Sequence, residues 1–327
     1  MKIRLNQRNV PIMATFGVFA LIYLIGSLLY QNFFSLRVFC NLFYDNAFVG
    51  VIAVGMTFVI ISGGIDLSVG SVIAFTGVFM AKLIMEYQVH PFFAMLFSLT
   101  IGALLGFMMG CIIHYFKLPA FLVTLVGMFL MRGLAFQVTL NSIPIRHNFV
   151  DSIVYFGIPL TKRVYFSGLA LLFLLVVLGG VYVSHFTKFG RNVYAIGGNE
   201  QSAILMGLPI GKTKILIYTM NSTLAALAGI VYTMYTVSGY PLATVGLELD
   251  VIASVVIGGT LLTGGAGYVE GTLLGVLILG LIQTIITFQG TLSSWWTKIF
   301  IGILLSAFIL LQTYISKTAT TQKSGPA

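Results

Sequence analysis

Apolar runs of about 20 residues recur along nearly the whole chain, and each is long enough to cross the roughly 30 Å hydrocarbon layer of a bilayer as a helix. Core helices of soluble proteins are usually shorter. With 58% apolar and only 8% charged residues, the chain would expose too much hydrocarbon surface to stay dissolved in water, so its solvent is lipid. Its glycines, 36 in number, do not signal a β-barrel. Barrel strands alternate apolar and polar residues, whereas Leu169 to Leu178 is continuously apolar. The expected fold class is therefore all-α, a polytopic membrane bundle of about ten transmembrane helices forming one domain over residues 1–327.

The spans are placed near residues 10–30, 40–61, 71–87, 91–115, 119–140, 166–186, 214–236, 247–262, 268–288 and 298–315, with boundaries good to about 2 to 4 residues. The shortest are those at 71–87 and 247–262. Lys2, Arg4 and Arg8 precede a first run too long for a signal peptide and lacking a small-residue cleavage site, so it is read as a retained helix. An even number of crossings with both termini cytoplasmic places Lys117, Lys188, Arg191, Lys212, Lys214, Lys317 and Lys323 inside. Residues 187–213 then form a cytoplasmic loop and residues 141–165 a periplasmic one. Arg37, Arg146, Lys162 and Arg163 fall outside, against the trend. The net charge of +9 is explained by this topology, and nucleic acid is not expected as a partner. Cys40 and Cys111 both sit in apolar segments and suggest neither a disulfide nor a metal site.

Two polar, glycine-rich strings interrupt the apolar pattern: SGGIDLSVGS from Ser62 to Ser71, and LTGGAGYVEGT from Leu262 to Thr272. Each carries a Gly-Gly pair followed at the same step by another glycine, Gly63 to Gly70 and Gly264 to Gly271, which points to an internal repeat. Gly63, Gly64, Gly264 and Gly265 are candidate helix breaks, and Asp66, Ser68 and Ser71 are candidate hydrogen-bonding groups along a substrate route. A tight turn at the cytoplasmic surface, with Asp66 capping a helix, explains the same residues equally well. Asp66 and Arg132 are expected to take a pathway or pairing role. Asp45, Glu248 and Asp250, near outer helix ends, are expected to be solvated at the interface. Gly102, Gly106 and Gly110, and again Gly267, Gly271 and Gly275, recur every four residues and predict close helix packing. Trp295, Trp296 and Lys298 read as interfacial anchors.

Within the cytoplasmic loop, NEQSAILMG punctuates a two-turn helix, with Asn199 as its cap and Gly207 as its stop. Ala203, Ile204 and Met206 would lie exposed unless they packed back on the bundle or docked on a partner. GLPIGKT at Gly207 to Thr213 has three residues between its glycines where a phosphate-binding loop has four, so nucleotide hydrolysis is assigned to another chain. The histidines His90, His114, His147 and His185 are scattered, and no hydrolase motif is present.

Taken together and in this order, GGIDLSVGS at Gly63 to Ser71, LPAFLVTLVGMFLMRG at Leu118 to Gly133 and FGRNVYAIGGNEQSAILMG at Phe189 to Gly207 resemble the ribose permease-like family of bacterial ABC sugar importers, over essentially the whole chain. The stretch from Asp45 to Phe79, ELDVIASVVIGGTLL and GTLSSWWTKI are most similar to its galactofuranose permeases. The resemblance implies a non-enzymatic, cofactor-free subunit of the inner membrane. Its partners would be a second permease (the same chain or another), an ABC ATPase and a periplasmic sugar-binding protein. It also implies that Asn199, Glu200, Ser202, Ala203, Met206 and Gly207 form the element seated in the ATPase. Ser202 and Leu208 depart mildly from the family pattern, which has alanine and isoleucine there. Ribose, xylose, another sugar or a branched-chain amino acid remains open as substrate, and an ion-gradient-driven secondary transporter is the competing class.

Overall fold

The computed structural model describes residues 10–162, 164–293 and 295–323. Lys2, Arg4, Arg8 and Arg163 lie outside the described residues. The chain runs through α1 (Val10–Leu29), α2 (Leu36–Asp45), α3 (Ala47–Ile61), α4 (Val69–Met85), α5 (Pro91–Tyr115) and α6 (Ala120–Val138). After these come β1 (Ile143–Pro144), α7 (Asn148–Val154), β2 (Gly157–Thr161), β3 (Val164–Ser167) and α8 (Gly168–Phe186). The rest comprises α9 (Lys188–Gly198), α10 (Glu200–Leu205), α11 (Ile210–Thr236), β4 (Ser238–Gly239), α12 (Leu247–Ile257), α13 (Val269–Gln289) and α14 (Trp295–Lys323).

All ten expected spans are helical, but they are not equivalent. Six helices, α1, α5, α6, α8, α11 and α13, are long and apolar enough to cross a bilayer alone. The second expected span is two helices, α2 and α3, bent by 56° at Asn46. The reason is local: the Asn46 amide turns back to donate to the Leu42 carbonyl at 2.9 Å, and its backbone leaves the helical range. The eighth span stops at Ile257, so α12 has 11 residues and reaches only about 16 Å. Residues 141–165, expected as a loop, hold β1, α7, β2 and the start of β3; β2 pairs antiparallel with β3, and β1 with the distant β4. The second ribbon pairs Ile143 with Gly239 and so ties the exits of α6 and α11 together.

The centre of the bundle is α3, with fourteen of its fifteen residues buried, and α11, which packs against α3, α4 and α5. A helix apolar all round belongs in such a centre. The glycine stripe of α5 lies on α11 as expected. A Cβ at Gly102 would meet Ser222 O at 2.9 Å and one at Gly110 would meet the Ile215 Cα at 2.8 Å, so only hydrogen leaves room for the contact. In the stripe of α13, Gly271 and Gly275 face the carbonyls of Gly258 and Ser254 at the end of α12. The outer helices turn Phe93, Leu104, Phe129, Leu175 and Leu178 outward, where the bilayer covers them.

Candidate functional site

The two glycine-rich strings each separate two helices, and they touch each other. The first separates α3 from α4 and the second separates α12 from α13. Gly63, Gly264 and Gly265 have φ of +81°, +85° and +78°, a region that side chains disfavour. The Gly265 N–H donates to the Ile61 carbonyl at 2.8 Å, and the Thr57 and Thr272 hydroxyls meet at 2.7 Å. Backbone freed by one broken helix is thus satisfied by the other, the condition under which irregular chain survives among membrane helices.

Asp66 is fully buried inside the first break. One carboxylate oxygen accepts from the Ser68 N–H at 2.8 Å and the Ser68 hydroxyl at 2.6 Å, and the other accepts from the Asn221 side-chain amide at 2.8 Å. Ser71 donates to the Ser68 carbonyl at 2.7 Å, and Thr124 accepts from the Leu67 N–H at 3.2 Å. Asp66 therefore does precede a helix start, as the surface-turn reading requires. Asn221, however, lies eleven residues into α11, about 16 Å along its axis, so the segment after Gly64 folds back into the bundle. Asp66 and Arg132 are not brought together. Arg132 donates instead to the carbonyls of Pro241 and Ala243, at 2.6 and 2.9 Å, near the far end of α6.

A foot projects beneath these breaks. Asn199 Oδ1 accepts from the Ser202 N–H at 2.8 Å, α10 follows, and Gly207 ends it at φ +73°. Ala203 does not face outward. It is buried with Ile196 and Ile210, so that side of α10 packs back on the protein, while Ile204, Leu205 and Met206 are exposed, Leu205 at 88%. Asn199, Glu200, Ser202 and Gly207 are exposed around them, and Glu200 accepts from Lys214 of α11 at 2.7 Å.

The foot is joined to the breaks through α9. Gly197 sits against the Ile61 carbonyl so closely that no Cβ fits, Gly198 lies beside Gly265, and the Tyr194 hydroxyl donates to the Gly267 carbonyl at 2.8 Å. Phe189 also packs on Phe58 of α3, their rings 6.0 Å apart. Asn221, Gly197 and Leu205 were not singled out in the sequence. Asn221 left the best signal, an amide in the middle of the α11 span beside the hydroxyls of Thr219, Ser222 and Thr223.

At the other end of the bundle, the outer acidic residues are not simply solvated. Asp45 and Asp250 line a cavity of about 720 Å³ between α2, α11, α12, α13 and α14, and Lys298 pairs with Asp250. Glu248 packs against Gly70 at the start of α4.

The profile of the family described as branched-chain amino acid transport system / permease component matches residues 38–309. The chain is similar to the inner membrane ABC transporter permease protein YjfF of Escherichia coli K12, at 54% identity over 98% of this chain and 97% of that one. It is also similar to the fructose import permease protein FruG of Bifidobacterium longum, at 37% identity over 98% and 95%. The ribose import permease protein RbsC of Escherichia coli K12 is 36% identical over 90% of this chain and 92% of its own. No solved structure matches it. A polytopic helical membrane protein with broken central helices and this breadth of likeness belongs to the family of branched-chain amino acid transport system permease components.

Proposed function

We propose that the chain is the permease subunit of an ATP-driven sugar importer of the bacterial inner membrane, carrying a monosaccharide, galactofuranose, and paired with a second permease subunit. It supplies the path and no chemistry; ATP is hydrolysed by a separate ABC ATPase, and a periplasmic binding protein delivers the sugar. The sugar class follows the fructose and ribose import permeases among its relatives. Galactofuranose follows the likeness of residues 45–79, 248–262 and 290–299 to permeases of that sugar.

The observation that carries the reading is the foot: a short capped helix with three apolar side chains exposed on one side and its other side fixed to the protein. Apolar tips on an otherwise basic loop are a surface for a partner. An ATPase groove closing on Ile204, Leu205 and Met206 would push α9, and α9 has no slack against the Ile61 carbonyl and Gly265. Displacement would shift both breaks at once and with them Asp66, whose bond to Asn221 spans α11 and the first break. Lys117, Lys188, Arg191, Lys212 and Lys214 gather around this end, which the positive-inside rule puts in the cytoplasm.

The test is a pair of foot variants in the reconstituted importer. Leu205→Asp is expected to leave the chain folded and to abolish both ATPase co-purification and sugar-stimulated hydrolysis. Met206→Leu, which keeps the apolar tip, is expected to retain them. Undiminished uptake with Leu205→Asp would overturn the reading.

A further inference from the structure

The cavity of about 720 Å³ opens at the end of the bundle remote from α9 and α10. Its walls are one face of α2, the first turn of α3, the last turn of α11, the first turns of α12 and α14 and the C-terminal half of α13. That volume lies within the range of small-ligand sites. Its chemistry is unusual for a membrane-facing gap, because Asn41, Asp45, Asp250, Gln283 and Lys298 share it with the exposed ring of Trp295.

The partners of these groups decide what can bind. Lys298 is committed to Asp250, which fastens the start of α14 to the start of α12 and makes one wall. Asp45 has the Tyr235 hydroxyl at 3.4 Å, too long for a strong bond. The side chains of Asn41 and Gln283 hold no hydrogen bond to any described residue. The spare inventory is thus a carboxylate that only accepts and two amides that both donate and accept. Among the described residues that line the cavity an anion would meet Asp45 with no free cation, and a zwitterion would find no partner for its carboxylate, since Lys298 is taken. A neutral polyol, whose hydroxyls donate and accept in turn and whose C–H face can lie on an indole, matches the set.

We propose that this cavity is a binding site for a neutral monosaccharide, with Asp45, Asn41 and Gln283 holding its hydroxyls and Trp295 its apolar face, closed on one side by the Asp250–Lys298 pair. The site lies in one subunit, at the end of the bundle remote from α9 and α10, so sugar would be held there before it reaches Asp66 and the breaks. The inference rests on the sugar-permease reading.

Trp295 and Trp296 are the chain's two tryptophans, and Trp295 alone of them lines the cavity, which supplies a local reporter. The full chain in lipid nanodiscs is titrated with D-galactose, D-ribose, D-fructose and, as a zwitterionic control, L-leucine, following tryptophan emission. A saturable change is expected with at least one sugar and none with leucine. It should persist in Trp296→Phe, vanish in Trp295→Phe, and weaken at least tenfold in Asp45→Asn and in Gln283→Leu. Should the assembled importer take up a sugar that gives no saturable signal, or one that titrates identically in both polar variants, the site is wrong while the sugar reading stands. If the importer takes up leucine and none of the sugars, the sugar reading itself falls and the proposal with it.

Discussion

Asp66 has no ion pair among the described residues, so its burial is tolerated through three donors, two from Ser68 and one from Asn221. Removing a donor from a buried acceptor leaves a desolvation cost of about 1 to 3 kcal/mol, more where the acceptor is charged. Asn221→Leu is accordingly expected to lower the thermal unfolding midpoint and to reduce uptake. Asn221→Asp should do worse, because it opposes two carboxylates. The exchange Asp66→Asn with Asn221→Asp restores one carboxylate facing one amide and is expected to recover part of the loss relative to either single change. An Asn221→Leu chain as stable and as active as the parent would remove the pair from any account of the pathway. Asp66 stood out in the sequence as a charge among apolar residues. Its partner did not, because the two are 155 residues apart and a lone amide in a helix gives no hint of what it faces.

At the scale of elements, the informative contact is α9 against the first break. Adjacent glycines there meet different surroundings: a Cβ at Gly197 would collide with the Ile61 carbonyl, whereas one at Gly198 would meet nothing within 4 Å. A carbonyl whose hydrogen bond to Gly265 holds the second break cannot yield cheaply. Gly197→Ala should therefore lower sugar-stimulated ATP hydrolysis at least tenfold or prevent folding, while Gly198→Ala keeps both, as read by membrane expression and hydrolysis in the assembled importer. Equal behaviour of the two would mean that α9 does not grip the break. The helices themselves were legible from apolar run length, and the cap at Asn199 and stop at Gly207 from residue type. What the sequence did not carry was direction. Packing back on the bundle and docking on a partner were both open for Ala203, Ile204 and Met206; Ala203 faces Ile196 and Ile210 while the other two face outward, and a two-turn helix is too short for periodicity to say which side turns inward. The bend at Asn46 and the early end of α12 did carry local marks, Asp45-Asn46 and Gly258-Gly259, but each sits within a stretch apolar enough overall to pass as one span.

The whole molecule is polarised along the bundle. One end holds the foot, the basic loops and the paired breaks; the other holds the β ribbons, α7 and the polar cavity. Such polarity makes sense for a transporter only if the first end faces ATP and the second faces incoming sugar. The native thiols allow a direct check, since Cys40 is buried and Cys111 only partly accessible. New cysteines at Leu205 on the foot and at Tyr155, 85% exposed in the turn before β2, mark the two ends. With a membrane-impermeant maleimide on intact spheroplasts, Tyr155→Cys is expected to label and Leu205→Cys not to label; inverted vesicles should reverse the pattern. Arg37, Arg146 and Lys162, basic residues at the Tyr155 end, argue against this orientation, as Lys82 and Lys298 do less strongly because each is paired with a carboxylate, but the foot end carries Lys117, Lys188, Arg191, Lys212 and Lys214 on its loops and helix starts, and the positive-inside bias follows them. If Leu205→Cys labelled from outside, the foot would sit where no ATP is available, and the coupling, the path and the cavity's place at the start of it would all have to be inverted together.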